Sequence, residues 1–191
     1  MTKRVLEKWP QALVTTPRAP ARAAIDEFDR VLADAKDERP LQTLFASQPS
    51  LLGPLAPAGG NFWCLDRPRF GAELIPDFLL ASITSVGFKW AMIELESPNE
   101  RALTRAGLPA NKLAEAQKQI RDWRAWLTDN TPYARDQLGL TDIDANCPAY
   151  IFIGRRSALD PKQVKTYRSL SFDETNVMSY DRLHDLMTSS T

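Results

Sequence analysis

Histidine and cysteine are almost absent from this chain: His184 is the one histidine, and Cys64 and Cys147 are the two cysteines. So few ligands do not supply a Cys/His zinc site without several carboxylates. The two cysteines stand far apart and read as reduced thiols rather than a disulfide. His184 falls in an amphipathic C-terminal stretch, which argues against a histidine-based catalytic triad. Long apolar runs are missing too, and none approaches the ~18 residues of a membrane span. Lys3, Arg4 and Lys8 are followed by no apolar stretch, so the start does not read as a signal peptide. The expectation is a cytoplasmic protein with no membrane partner. Finally, there is no charge excess. Lys plus Arg total 24, as do Asp plus Glu, for a formal net charge of zero. Nucleic-acid binders usually carry a basic excess, so contact with DNA has to come from local patches.

What is present is an ordinary globular composition, 43% hydrophobic and 25% charged over 191 residues. Residues 1–21, with Pro10, Pro17 and Pro20, read as an N-terminal arm, and residues 22–191 as one domain. Helical spacing of apolar residues predicts helices over 21–35, 38–47, 111–127 and 180–187, and Asp160-Pro161 starts another. Residues 50–60, with Pro54, Pro57 and Gly59-Gly60, read as a loop. Strands are expected at 61–65, 73–81, 88–95, 149–153 and 176–179, the first three as an antiparallel meander. The predicted class is α/β: a mixed sheet flanked by helices, with a strand–helix–strand crossover over 88–154.

Two acidic clusters interrupt apolar, strand-like runs: Glu73 to Phe78, and Phe88 to Glu96. Alternation points Glu94 and Glu96 to the same face, and Asp77, one strand earlier, can reach the same edge. Carboxylates crowded there repel and raise one another's pKa unless a cation intervenes. Oxygen donors of this kind suit Mg²⁺ or Mn²⁺. A solvated strand end whose acids face water is the alternative reading of the same residues.

The order of the clusters resembles the PD-(D/E)xK nuclease superfamily, with its restriction-endonuclease-like core. Pro76-Asp77 matches the first acid, and Glu94-Leu95-Glu96 the (D/E)xK strand. Gln119 to Trp123 resembles a Q-x-x-x-Y element, with Trp123 in the Tyr position. Three further stretches are similar to the Shedu-type anti-phage defence nucleases and their DUF4263 domain. They are Glu38 to Leu52, Tyr150 to Arg155, and Val177 to Leu183. The resemblance implies a metal-dependent DNA endonuclease that forms a homo-oligomer. Asp77, Glu94 and Glu96 become its metal ligands and catalytic acids. Glu38 becomes an additional acid from the first helix, and Gln119 a helix residue pointing toward the site.

The pattern departs at one position. The family's third catalytic residue is usually Lys, and here it is Glu96. Glu96 can serve as a metal ligand or general base, and Lys112 or Lys118 can supply a migrated cation. A catalytically inactive relative that binds DNA or a phage component, and acts through assembly, is the alternative. Arg101, Arg105, Lys112 and Lys118 are candidate phosphate contacts. So are Arg121, Arg124, Arg155 and Arg156, with Arg155 equally placed to pair with Asp181. Trp90, Trp123 and Trp126 read as core.

Overall fold

Ala24, Ile25, Phe28 and Leu32 share one side of helix α1 (Arg22–Asp34), and all are buried, as their three- and four-residue spacing dictates. The computed structural model describes residues 15–71, 73–168, 170–172 and 174–189. The expected N-terminal arm therefore lies outside the described residues as far as residue 14. Beyond it, Thr16 pairs with Phe62, and the Arg18 guanidinium donates to the Ala58 carbonyl.

After α1 come α2 (Arg39–Ser47), a 3-10 helix (Pro49–Leu55), β1 (Trp63–Asp66), β2 (Phe78–Thr84) and β3 (Gly87–Leu95). Then follow α3 (Asn111–Asp136), β4 (Ala149–Phe152), a short 3-10 turn (Arg156–Ala158), α4 (Pro161–Arg168), β5 (Ser171–Phe172), β6 (Thr175–Met178) and α5 (Tyr180–Ser189). The strands form one mixed sheet in the order β1-β2-β3-β4-β6-β5. The first three are an antiparallel meander, whereas β3, β4 and β6 run parallel. The class is therefore α/β, as the alternation of patterns predicts.

Each strand face buries a different layer. Leu79, Ala81, Trp90 and Met92 pack with Leu113, Ala116, Ile120, Trp123 and Leu127 of α3. Phe78, Leu80, Ala91, Ile93 and Leu95 pack with α1, α2 and α5 on the other side. The alternation of β3 thus feeds two cores, and the sheet is covered on both faces.

Three expectations need correction, and one strand was not expected. The strand predicted at 73–81 begins only at Phe78. Pro76 has no N–H for a ladder, and Leu74 pairs locally with Phe70. The predicted loop at 50–60 opens as a 3-10 helix over Pro49–Leu55 that buries Leu51, Leu52 and Leu55. The helix predicted to end at Leu127 continues to Asp136 past a kink at Asn130; Pro132 sits just after the kink and restricts the backbone before it. β5, a two-residue edge strand, is too short to show in the pattern.

Candidate active site

Asp77 sits immediately before β2, and Glu94 near the end of the antiparallel β3. Phe78 pairs with Ile93 in the register, so the next step along the ladder brings the two acids opposite one another. Glu96 lies two residues beyond Glu94, just past the end of the strand. Glu94 is 6% exposed and Glu96 9%. Such burial is rare for carboxylates without a cationic partner.

Burial and mutual repulsion push these acids upward. Desolvation raises Glu94 to about 10, reinforced by the charges of Asp77, Glu96 and Glu38 and by a hydrogen bond shared with Asp77. Desolvation raises Asp77 to about 6; a hydrogen bond from the Leu95 backbone opposes the rise, and Glu38 and Asp66 add to it. Desolvation also lifts Glu96 to about 7, with the Lys112 ammonium pulling it down and Glu38 and Glu115 pushing it up. Glu38, half-buried at the start of α2, therefore lies within the field of all three acids.

The fold holds this cluster with polar contacts that local sequence pattern did not identify. The Gln42 side-chain amide on α2 donates to Asp77 Oδ1 at 3.0 Å, and the Leu95 N–H donates to Oδ2 at 2.8 Å. The fully buried Tyr180 hydroxyl donates to the Glu96 carbonyl at 2.7 Å. Gln42 and Tyr180 both stand in the stretches that carry the family resemblance, yet neither invites a site role by residue type alone. Asp66, ending β1, is a further acid near Asp77; burial raises its pKa, and its Oδ1 has no hydrogen-bond partner.

Behind the cluster, Gly154 turns the chain after β4 with φ +70°, and a Cβ there would overlap the Glu100 carbonyl. Its N–H donates to the Ser97 carbonyl at 3.1 Å. Arg155 pairs with Asp181 at 3.2 Å, the ion pair the sequence offered as one reading of that arginine. Burial favours the neutral Asp181, but the Arg156 N–H and the Arg155 guanidinium outweigh it and hold the carboxyl low.

The remaining candidates are spread around the edge. Gln119 is exposed on α3, on the face that carries Lys112 and Glu115, and makes no hydrogen bond to the acids. Lys112 pairs with Glu115 at 2.8 Å, and Lys118 with Asp122 at 2.6 Å. Lys112 is the one whose charge reaches Glu96. Arg101 and Arg105 are exposed in the segment after Glu96. Arg124 is tied to the Ala145 carbonyl and Thr175 and serves the fold. Trp90 and Trp123 are core; Trp126 is partly buried and stacks on Phe70. His184 faces Asp29 at 3.4 Å, and both cysteines are free.

The donors are all carboxylate oxygens, the chemistry that Mg²⁺ and Mn²⁺ prefer. Among the described residues no three His, Cys, Asp or Glu side chains stand at the spacing of a ready metal cage. Mg²⁺ is commonly held by one or two carboxylates with substrate phosphates completing its shell. The Asp77–Glu94 pair fits that lesser requirement. No helix among the described residues is long and apolar enough to cross a membrane.

Comparison with curated proteins finds no match. The family model described as "Shedu protein SduA, C-terminal" matches residues 35–184. That span holds every acid of the cluster, Gln42, Gly154 and the Tyr180-Asp181 pair. The chain belongs to the Shedu SduA C-terminal family.

Proposed function

We propose that the chain is a metal-dependent DNA endonuclease with a restriction-endonuclease-like core, hydrolysing phosphodiester bonds in anti-phage defence. The observation that carries this reading is the convergence of Asp77, Glu94 and Glu96 at one sheet edge, each with its pKa raised by burial and by neighbouring acids. Full ionisation of the three carboxyl groups would lack a buried counter-charge, a deficit that a divalent cation removes.

Asp77 and Glu94 are the residues that would hold Mg²⁺ or Mn²⁺. The bound ion would stabilise charge developing on the phosphate and lower the pKa of water. Gln42 and the Leu95 N–H fix the Asp77 carboxylate in one orientation. Glu96, with a pKa of about 7, is poised to accept a proton from an attacking water near neutral pH. Lys112, whose charge reaches Glu96, supplies positive potential where the family pattern has its lysine. Arg101, Arg105 and Lys118 add exposed cations for phosphates on the flanking segments. Glu38 tunes the field of the cluster, and Gln119 stands ready to contact the substrate backbone.

The test is cleavage of supercoiled, linear and single-stranded DNA with Mg²⁺ or Mn²⁺. Asp77→Ala and Glu94→Ala should each abolish cleavage while leaving the fold intact by circular dichroism. Cleavage that survives the double variant would place the centre elsewhere. Light scattering of the same samples reads the homo-oligomer that the family resemblance implies.

A second reading rests on Glu96 occupying the lysine position. A silent relative would bind DNA or a phage component and act by assembly. Calorimetry with Mn²⁺ separates the two, because the silent form predicts neither heat of metal binding nor cleavage of any DNA form.

A further inference from the structure

Strands β3, β4 and β6 run parallel, and their last residues lie in one row: Leu95 pairs with Phe152, and Phe152 with Met178. Ligands of open α/β sheets gather at this carboxyl edge. The acids occupy its β3 end. At its β6 end a cleft of about 580 Å³ opens between α4, β6, α5 and the turn after β4. Two strand spacings, ~10 Å, separate the two.

The cleft has a mixed lining. Val164, Tyr167 and Met178 supply apolar wall, and the Tyr167 ring is fixed by its hydroxyl, which donates to the Ile153 carbonyl at 3.2 Å. Asn176 and Ser179 add an amide and a hydroxyl. Arginines stand at the mouth. Arg156 is tied to Asp185, which cancels the one carboxylate lining the cleft. Arg182 is exposed and makes no ion pair among the described residues. The local balance is therefore one uncompensated guanidinium over a partly apolar cavity. A bare anion would leave most of that volume empty, whereas an apolar ligand would leave Arg182 unused.

We propose that this cleft binds a nucleoside phosphate, the phosphate on Arg182 and the base against the Tyr167 and Met178 wall. Guanidinium suits phosphate oxygens, and aromatic side chains suit base faces. The nucleoside phosphate arrives either as part of a single strand or as a free nucleotide. The strand form rests on the nuclease reading, because its neighbouring phosphate would then lie toward the acids. The free form does not depend on it.

Binding is measured in EDTA, where cleavage does not proceed, so the two proposals fail separately. The reporter is the methyl resonance of Met178 in protein labelled at its four methionines. Met92 and Met187, both 0% exposed, serve as internal references. The probes are dAMP, hexathymidylate and inorganic phosphate. The Met178 signal should shift and saturate with dAMP or hexathymidylate. Arg182→Glu should weaken that binding at least tenfold, while Lys89→Glu, at the opposite end of β3, should leave it unchanged. Should Arg182→Glu fail to fold, Asn176→Ala carries the expectation of weaker binding. Tighter binding of hexathymidylate assigns the cleft to a strand, and tighter binding of dAMP to a free nucleotide. No shift with either probe at millimolar concentration overturns the proposal. So do equal affinity for inorganic phosphate and a response that the Arg182 and Lys89 variants share. DNA cleavage with an unresponsive cleft would refute this inference alone, and a responsive cleft without cleavage the nuclease reading alone.

Discussion

Glu94 and Asp77 face one another one step beyond the Phe78–Ile93 pair of the β2–β3 ladder, and the charge of Asp77 raises the Glu94 carboxyl. Two desolvated carboxyl groups in that relation favour a proton on one of them. The pair therefore titrates as a unit, with Glu94 raised to about 10 and Asp77 to about 6. Burial keeps that proton in place near neutral pH, and a divalent cation is the natural agent to displace it.

The raised pair makes stability in EDTA depend on pH. Both folded pKa values lie above the ordinary 4.5 and 3.8. Between the ordinary and raised values the folded chain binds more protons than the unfolded one, so stability falls as pH rises. The melting temperature should be higher near pH 5 than near pH 8, by about 5 °C or more. Saturating Mn²⁺ should narrow that gap. A melting temperature that rises from pH 5 to pH 8 in EDTA would contradict the protonated pair.

The elements of this site were unequally legible in the sequence. Alternation in Phe88 to Leu95 gave both the strand and the shared parity of Glu94 and Glu96, because a two-residue period is local. The start of β2 was not legible, since the pairing of Leu74 with Phe70 takes the first part of the run into a local bridge before Pro76. Gln42 and Tyr180 carry no intrinsic catalytic signal. Their roles depend on partners 35 and 84 positions away. Tertiary packing alone creates such contacts. The kink at Asn130 was hidden for a different reason: helical spacing continues through it, and Ala134 is buried on the far side.

Glu94→Gln tests the burial cost directly. The amide keeps the shape and a donor for Asp77 but cannot ionise. In EDTA at pH 8 the variant should melt above the parent, because folding no longer requires this side chain to take up a proton that the unfolded chain has lost. Cleavage should be lost in the same sample. A variant both less stable and active would contradict the assigned role.

Gln42→Leu removes the amide that donates to Asp77 Oδ1 at 3.0 Å. A donor to the ionised form holds a carboxyl down, so its loss moves Asp77 further above about 6. The acid limb of the cleavage-rate profile should shift to higher pH by roughly half a unit to one unit. Loss of rate with an unmoved profile would make Gln42 a packing residue only.

Tyr180→Phe keeps the ring against Phe152, whose centroid is 5.8 Å away, but removes the hydroxyl that donates to the Glu96 carbonyl. Leaving a buried acceptor unpaired costs about 1–3 kcal/mol. The Glu96 backbone then loses its anchor to α5. Cleavage should fall more than DNA binding in EDTA does, because the anchor positions Glu96 rather than the phosphate contacts. Equal loss of both would reduce the residue to a core support.

Gly154→Ala addresses the segment after Glu96 from the other side. Gly154 holds φ +70°, which side chains rarely adopt, and a Cβ would meet the Glu100 carbonyl backbone, which has no flexible end to yield. The combined strain should destabilise the fold by ~1–3 kcal/mol, read by chemical denaturation. Relief requires movement of the 97–100 segment, whose Ser97 carbonyl accepts from the Gly154 N–H. That segment is continuous with Glu96, so cleavage should drop beyond what the lost stability explains at a temperature where the variant is folded. Unchanged specific activity in the folded fraction would separate the turn at Gly154 from the placement of Glu96.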